Sequence, residues 1–186
     1  MRKIYLSAIL IVFIILSNPL YAKSNLIKSL GGGGGVCLAQ GGWEPGFSVI
    51  INANMGEAIK YIYFSPYLQY SRAGKSEEVN GKSENLATQY LILGAKMVGF
   101  INTKPQGFYL GGAVSYNLIS FDDIQWGQLS QSTIIVNNST TKMGFTGIAG
   151  YLFMLRNLSI FIEADYMLTV GGYNNPSLHT GINFNL

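Results

Sequence analysis

An all-β fold, an eight-stranded antiparallel transmembrane β-barrel preceded by a cleavable signal peptide, is predicted by three features of the chain. First, the closing stretch Ser177 to Leu186 alternates without a break. Leu178, Thr180, Ile182, Phe184 and Leu186 take one side of a two-residue period, and Ser177, His179, Gly181, Asn183 and Asn185 the other. Second, hydrophobic residues make up 48% of the chain and charged residues only 11%, against a usual charged share near 25%. Third, no apolar run after residue 22 is long enough for a spanning helix. High apolar content without such a helix points to strands.

At the start, Arg2 and Lys3 form a basic n-region, Ile4 to Leu16 an apolar h-region, and Leu20-Tyr21-Ala22 a cleavage site. The h-region is shorter than the roughly 20 residues a membrane anchor needs. Residues 1–22 are therefore read as a signal peptide, 23–30 as a short periplasmic segment and 31–186 as one barrel domain exported to a bacterial outer membrane. Without Arg2 and Lys3 the formal charge of +3 nearly vanishes, so the pI of about 8.9 says nothing for nucleic acid. Cys37 is the one cysteine, which excludes an internal disulfide and reads as a small buried residue.

Along the domain, alternation between turn signals marks strands at 46–55, 59–71, 87–100, 107–119, 142–154, 157–169 and 176–186. Seven is odd, whereas single-chain bacterial barrels have even counts, with short turns on the periplasmic side. The connections near Gly56-Glu57, Asn102 to Gln106 and Arg156 are short; those at 72–86, 120–141 and 170–175 are longer. Segment 46–55 then descends, and an ascending strand must precede it. The segment Gly31 to Ala39 is the available chain, although Gly31 to Gly35 supplies no side chains to pack. No Gly-Lys-Ser/Thr follows the glycines, which excludes a phosphate-binding loop. Pro66 removes a ladder donor, so a bulge is expected at Ser65-Pro66. Asn80-Gly81 is a hairpin signal that extends the flanking strands above the membrane as a ribbon.

Parity assigns an outer face: Phe47, Val49, Ile51, Ala53 and Met55; Ile62, Phe64, Leu68 and Tyr70; Leu91, Leu93, Ala95 and Met97; Phe108, Leu110, Val114, Tyr116 and Leu118; Leu158, Ile160, Ile162, Ala164, Tyr166 and Leu168. None is charged, as a lipid-facing surface requires, since Arg or Lys at the midplane costs about 2–4 kcal/mol. The opposite parity collects Ser48, Asn52, Asn54, Tyr61, Tyr63, Tyr67, Gln69, Lys96, Ser115, Asn117, Glu163, Asp165, His179, Asn183 and Asn185 as a lumenal set. Glycines leave 142–154 without a clear facing. A soluble lipocalin-like barrel shares the parity but would mix Lys or Glu into its wet face.

The stretches Phe64 to Ser71, Tyr90 to Lys96 leading to Gly107 to Gly112, and Gly147 to Tyr166 with its Arg156-Asn157-Leu158 turn resemble the outer-membrane β-barrel family of PorT-like and OmpX-like proteins. The resemblance implies a non-enzymatic surface protein, carries over no catalytic residue or cofactor, and implies recognition by the barrel-insertion machinery through the last strand. Here Leu186 stands where the family's assembly signal usually ends in an aromatic residue.

Lys96 is the one lysine expected in mid-lumen, and Glu163 or Asp165 is its natural partner. His179, the one histidine, is expected beside Glu163 and Asp165, as part of a buried electrostatic cluster. A hydrolytic relay of His179, Asp165 and a loop serine such as Ser130 is the competing use of the same residues, as in barrel enzymes acting on lipid. One His and one Cys make no zinc set, while Asp122-Asp123 is a loop calcium candidate. Loop 120–141, with Ile124 and Trp126, either meets lipopolysaccharide, a host surface or another protein, or folds over the mouth. The expected function is a structural or surface-interaction role of a monomer; a narrow pore is a further alternative.

Overall fold

The computed structural model describes residues 27–79, 82–102, 104–126 and 133–186. The signal peptide, Asn80-Gly81 and Ser130 lie outside them. The alternating segments form β1 (Ser29–Cys37), β2 (Gly46–Asn54), β3 (Glu57–Ile59), β4 (Ile62–Val79), β5 (Lys82–Phe100), β6 (Gly107–Trp126), β7 (Thr133–Met154), β8 (Leu158–Thr169) and β9 (Asn175–Asn185). They make one sheet in the order β2-β1-β9-β8-β7-β6-β5-β4-β3, and β2 also pairs with β4. That last pairing closes the ring: eight strands are its staves, and three-residue β3 is a spur on the start of β4. Every pairing is antiparallel. Closure satisfies the backbone around the circumference and leaves no free edge within it, the condition for a sheet to sit in hydrocarbon.

The glycine-rich segment is a true stave. Gly31 to Gly35 pair on one side with Asn52 to Ser48 and on the other with Asn183 to His179. A Cβ on Gly33 would stand 2.4 Å from the carbonyl oxygen of Thr180 and 2.9 Å from the Phe161 ring; on Gly35 it would stand 1.8 Å from the carbonyl oxygen of Leu178. Gly33 and Gly35, inward in mid-strand, are therefore glycine because no side chain fits there, whereas Ser29 and Cys37 at the ends of the same face do carry side chains. The outward Gly34 is free of this, its nearest neighbour, a carbonyl oxygen, being 3.7 Å away.

Faces follow the expected parity. Ser48, Asn52, Tyr67, Gln69, Lys96, Ser115, Asn117, Glu163, Asp165 and His179 are buried in the lumen, whereas Phe47, Leu93, Phe108, Leu110, Ile162 and Leu168 are exposed on the outside. In β7, Gly144, Thr146 and Ile148 face inward, and Met143 and Phe145 outward. Cys37 is fully buried, its thiol 3.4 Å from the carbonyl oxygen of Phe47.

Three expectations need correction. Tyr61 is not lumenal: it lies in the turn after β3 with φ of 68° and is exposed. The register of β4 on β5 runs unbroken through Ser65↔Lys96 and Pro66↔Ala95, so no bulge forms at Ser65-Pro66. The ladder of β4 on β2 instead stops at Asn52↔Tyr67. It resumes irregularly where the Met55 N–H donates to the Phe64 carbonyl and the Phe64 N–H donates to that of Gly56, two residues sharing one partner. The N–H of Phe64 faces β2, and by two-residue periodicity so would that of Pro66, which places the missing donor in this gap.

Third, the described part of 120–141 is not a loop but paired strand, like the ribbon expected around Asn80-Gly81. β4 and β5 pair as far as Val79↔Lys82, and β6 and β7 as far as Trp126↔Thr133. β1, β2, β8 and β9 have 9, 9, 12 and 11 residues, a span's worth at barrel tilt. β4, β5, β6 and β7 have 18, 19, 20 and 22. Their surplus rises from one end as two ribbons.

Candidate functional site

Inside the barrel, charged side chains meet where strand register places them over glycine. Glu163 on β8 and Tyr109 on β6 both pair with Gly150 of β7. A Cβ on Gly150 would lie 2.3 Å from the Tyr109 ring, so its absence lets the phenol cross to Glu163 and donate a hydrogen bond of 2.8 Å. Lys96, reaching from β5, donates to both carboxylate oxygens at 2.7 Å. The pair is nearly dry, with side chains 8% and 2% exposed.

Across the seam the same device recurs. His179 on β9 and Ser48 on β2 both pair with Gly35 of β1. The His179 Nε2 lies 2.8 Å from the Ser48 Oγ. Its Nδ1 lies 3.0 Å from the Asp165 Oδ2, a close contact outside hydrogen-bond alignment. Ser48 is further bonded to the Ser71 hydroxyl at 2.8 Å, and its oxygen accepts from the Gln69 amide at 3.2 Å.

The four residues read from sequence as a lumenal cluster thus fall into two pairs, Lys96 with Glu163 and His179 with Asp165. Ser48, Tyr109, Gln69 and Ser71 complete them. Parity had placed Ser48 and Gln69 in the lumen, but the bonds of Ser48 to Gln69 and Ser71 depend on the register of β2 on β4, and its contact with His179 on register across β1, which a run of glycines does not reveal. Tyr109 carried a usable signal, since it alternates with the outward Phe108 and Leu110.

Asp165, His179 and Ser48 have the composition of a hydrolytic relay, yet each is at least nine-tenths buried and the serine is enclosed by Ser71 and Gln69. No substrate carbonyl reaches that oxygen. With Nε2 on Ser48, a relay to a loop serine would first have to break this contact. The arrangement suits a packed polar core, in which buried charges are paired.

Asp122-Asp123 does not form a calcium loop. The Asp122 carboxylate accepts from the Ala87 N–H at 2.9 Å and from the Asn137 amide at 3.0 Å, tying the two ribbons together, and in β6 its neighbour points to the opposite face. Among the described residues no cluster of three His, Cys, Asp or Glu side chains is poised for a metal.

The loop candidates Ile124 and Trp126 belong to β6, where Ile124 pairs with Ile135 and the backbone of Trp126 with Thr133. Pairing of β7 with β8 ends at Gly144↔Thr169 with one further bond, from the Val170 N–H to the Met143 carbonyl, and that of β4 with β2 ends at Phe47↔Arg72 with one further bond, from the Glu44 N–H to the Gly74 carbonyl; above these, neither strand has a paired neighbour on its far side among the described residues. Each ribbon therefore carries an open backbone edge.

The chain matches no family model, and a search of curated proteins returns no match. Among solved structures it is similar to Neisserial surface protein A, with a TM-score of 0.58 and 19% identity over 88% of this chain and 98% of that one. It is likewise similar to Ail, the attachment invasion locus protein of Yersinia pestis, with a TM-score of 0.52 and 13% identity over 86% of this chain and 97% of that one. At these identities the likeness establishes the fold, a small closed barrel, and supports the motif-based resemblance at that coarser level.

Proposed function

We propose that the protein is a non-enzymatic barrel of a bacterial outer membrane that acts at the cell surface through its two ribbons. The observation that carries this reading is the length contrast between β4 to β7 and the other staves. An uncharged outer band bounded above by Arg72, Gln89, Ser120 and Ser139, which follow one another across paired strands, supports the membrane placement. Short turns on the opposite side support a periplasmic position for that end. Neisserial surface protein A and the attachment protein Ail share the architecture, which fits a surface role.

The open edges of β4 and β7 offer unpaired N–H and C=O groups to an extended segment of a host or bacterial surface protein. Outer-membrane lipid and lipopolysaccharide surround the band, the closing strand engages the insertion machinery, and the closed ring works as a monomer. Proteinase K added to intact cells should trim the ribbons and leave a core that still shifts in mobility between unheated and boiled gel samples. Full protection of the chain overturns the surface assignment. Replacing 75–84 and 122–137 with tight turns should abolish adhesion of protein-bearing vesicles to host cells while preserving the heat shift. Unchanged adhesion sinks the ribbons as the binding element.

A further inference from the structure

The end opposite the ribbons has a repeated composition that barrel closure does not require. Each of its three turns presents an exposed aliphatic side chain with a cation beside it or close by in sequence: Ile59 with Lys60, Ile101 with Lys104, Leu155 with Arg156. Ile59, Ile101 and Leu155 are 63%, 74% and 53% exposed, and Lys28, leading into β1, adds a fourth cation at this end. Among the described residues Glu57 is the one acidic side chain here, and its carboxylate accepts the N–H of Tyr61 within its own turn. None of the four cations forms a salt bridge with a described residue. Acids gather at the other end, where Glu77, Glu78, Glu84, Asp122 and Asp123 stand on the ribbons.

An aliphatic tip in water gains nothing, and four cations on a rim with one acidic side chain, Glu57, repel one another, although Lys60 lies 5.1 Å over the Tyr61 ring. Both features are relieved at an interface that is apolar below the headgroups and anionic at them. We infer that this rim is a collar for anionic phospholipid headgroups, with Lys28, Lys60, Lys104 and Arg156 holding phosphates while Ile59, Ile101 and Leu155 enter the acyl boundary. The inference rests on the membrane placement proposed above and names the leaflet contact at the periplasmic end. A basic side chain near an anionic surface strengthens attachment roughly fivefold, so four act together as a strong selector over zwitterionic lipid.

The full chain, inserted in nanodiscs of phosphatidylcholine with a minor share of phosphatidylglycerol, should retain phosphatidylglycerol in excess of its share when lipids surviving gentle detergent extraction are counted by native mass spectrometry. Replacing Lys28, Lys60, Lys104 and Arg156 together by Gln should remove the enrichment, whereas the outer-end pair Lys75→Gln and Lys82→Gln should keep it. Enrichment that survives the fourfold change, or is lost equally in the outer-end pair, overturns the collar. Displacement by millimolar inorganic phosphate would mean a site for free anions and overturns the lipid assignment. The heat-dependent gel shift reports insertion separately, so a wild-type chain that never inserts refutes the membrane placement itself. If the fourfold variant does not fold, the wild type decides: enrichment must fall steeply between low and high salt, and salt-independent retention overturns the inference.

Discussion

Lys96 and Glu163 are charged groups that water cannot reach, so removing either leaves the other without a counter-charge in a dry interior. Lys96→Ala is expected to lower stability by about 3–5 kcal/mol, as read from urea unfolding in lipid vesicles. Lys75 also holds a carboxylate, Glu77, at 3.0 Å, but this pair is half in water and lies on a ribbon, so Lys75→Ala should cost under about 1 kcal/mol. Equal losses for the two variants would mean that the lumenal pair is hydrated and carries no special weight. A double change of Lys96→Met with Glu163→Leu should recover most of the loss, because the liability is the unpaired charge rather than the missing pair. His179→Ala separates structure from chemistry: it leaves Asp165 without its imidazole neighbour and should reduce stability while leaving the lipid A composition of whole cells unchanged. An altered lipid A profile with a fully stable barrel would restore the relay reading.

At the scale of the strand, the two-residue period disclosed faces well because a lipid-facing side chain and a lumenal one obey opposite selection. Phe108, Leu110 and Val114 against Ser115 and Asn117 needed no further information. Glycine erased that signal in β1 and β7, where the deciding quantity is what lies across the pairing: Tyr109 over Gly150, Phe161 over Gly33. Such contacts link strands far apart in sequence, and alternation within one strand does not contain them. The ribbon of β6 and β7 was harder to read for a different reason. Above the ring the two faces are no longer opposed in character: Ser120, Asp122, Asn137 and Ser139 stand among Phe121, Ile124 and Val136 in no strict alternation and look like loop, although Ser120 and Asn137 are bonded at 3.1 Å across the pair. One element-level test follows from the glycines. Gly33→Ala would press a methyl group against a backbone carbonyl and should destabilise the barrel by about 1–3 kcal/mol, whereas outward Gly34→Ala should stay within about 0.5 kcal/mol. Urea midpoints that fall together for both would show that β1 is not the tightly packed stave described.

For the molecule as a whole, the question is whether a ring of eight staves conducts. Tilted strands in so small a ring leave an interior that side chains fill. Here they fill it with groups bonded to one another inside the ring: Lys96 from β5 to Glu163 on β8, Tyr109 from β6 to the same carboxylate, and Gln69 from β4 to Ser48 and, at 3.4 Å, to Ser177 on β9. Large rings are laid over the glycines that make room for them, Tyr67 over Gly94 and Phe161 over Gly33 and Gly181. An ion entering the barrel would have to part several of these contacts at once, and the buried charges would exact a desolvation penalty as they separated. Planar bilayers carrying the protein should therefore show no resolved conductance steps. Shortening the obstructing rings together, as in Tyr67→Ala with Tyr109→Ala and Phe161→Ala, should open a path that conducts, provided the heat-dependent gel shift shows the variant still folded. Steps of equal size in the wild type and in that variant would mean that current does not run through the lumen's side-chain plug, and the packed interior would then be no barrier.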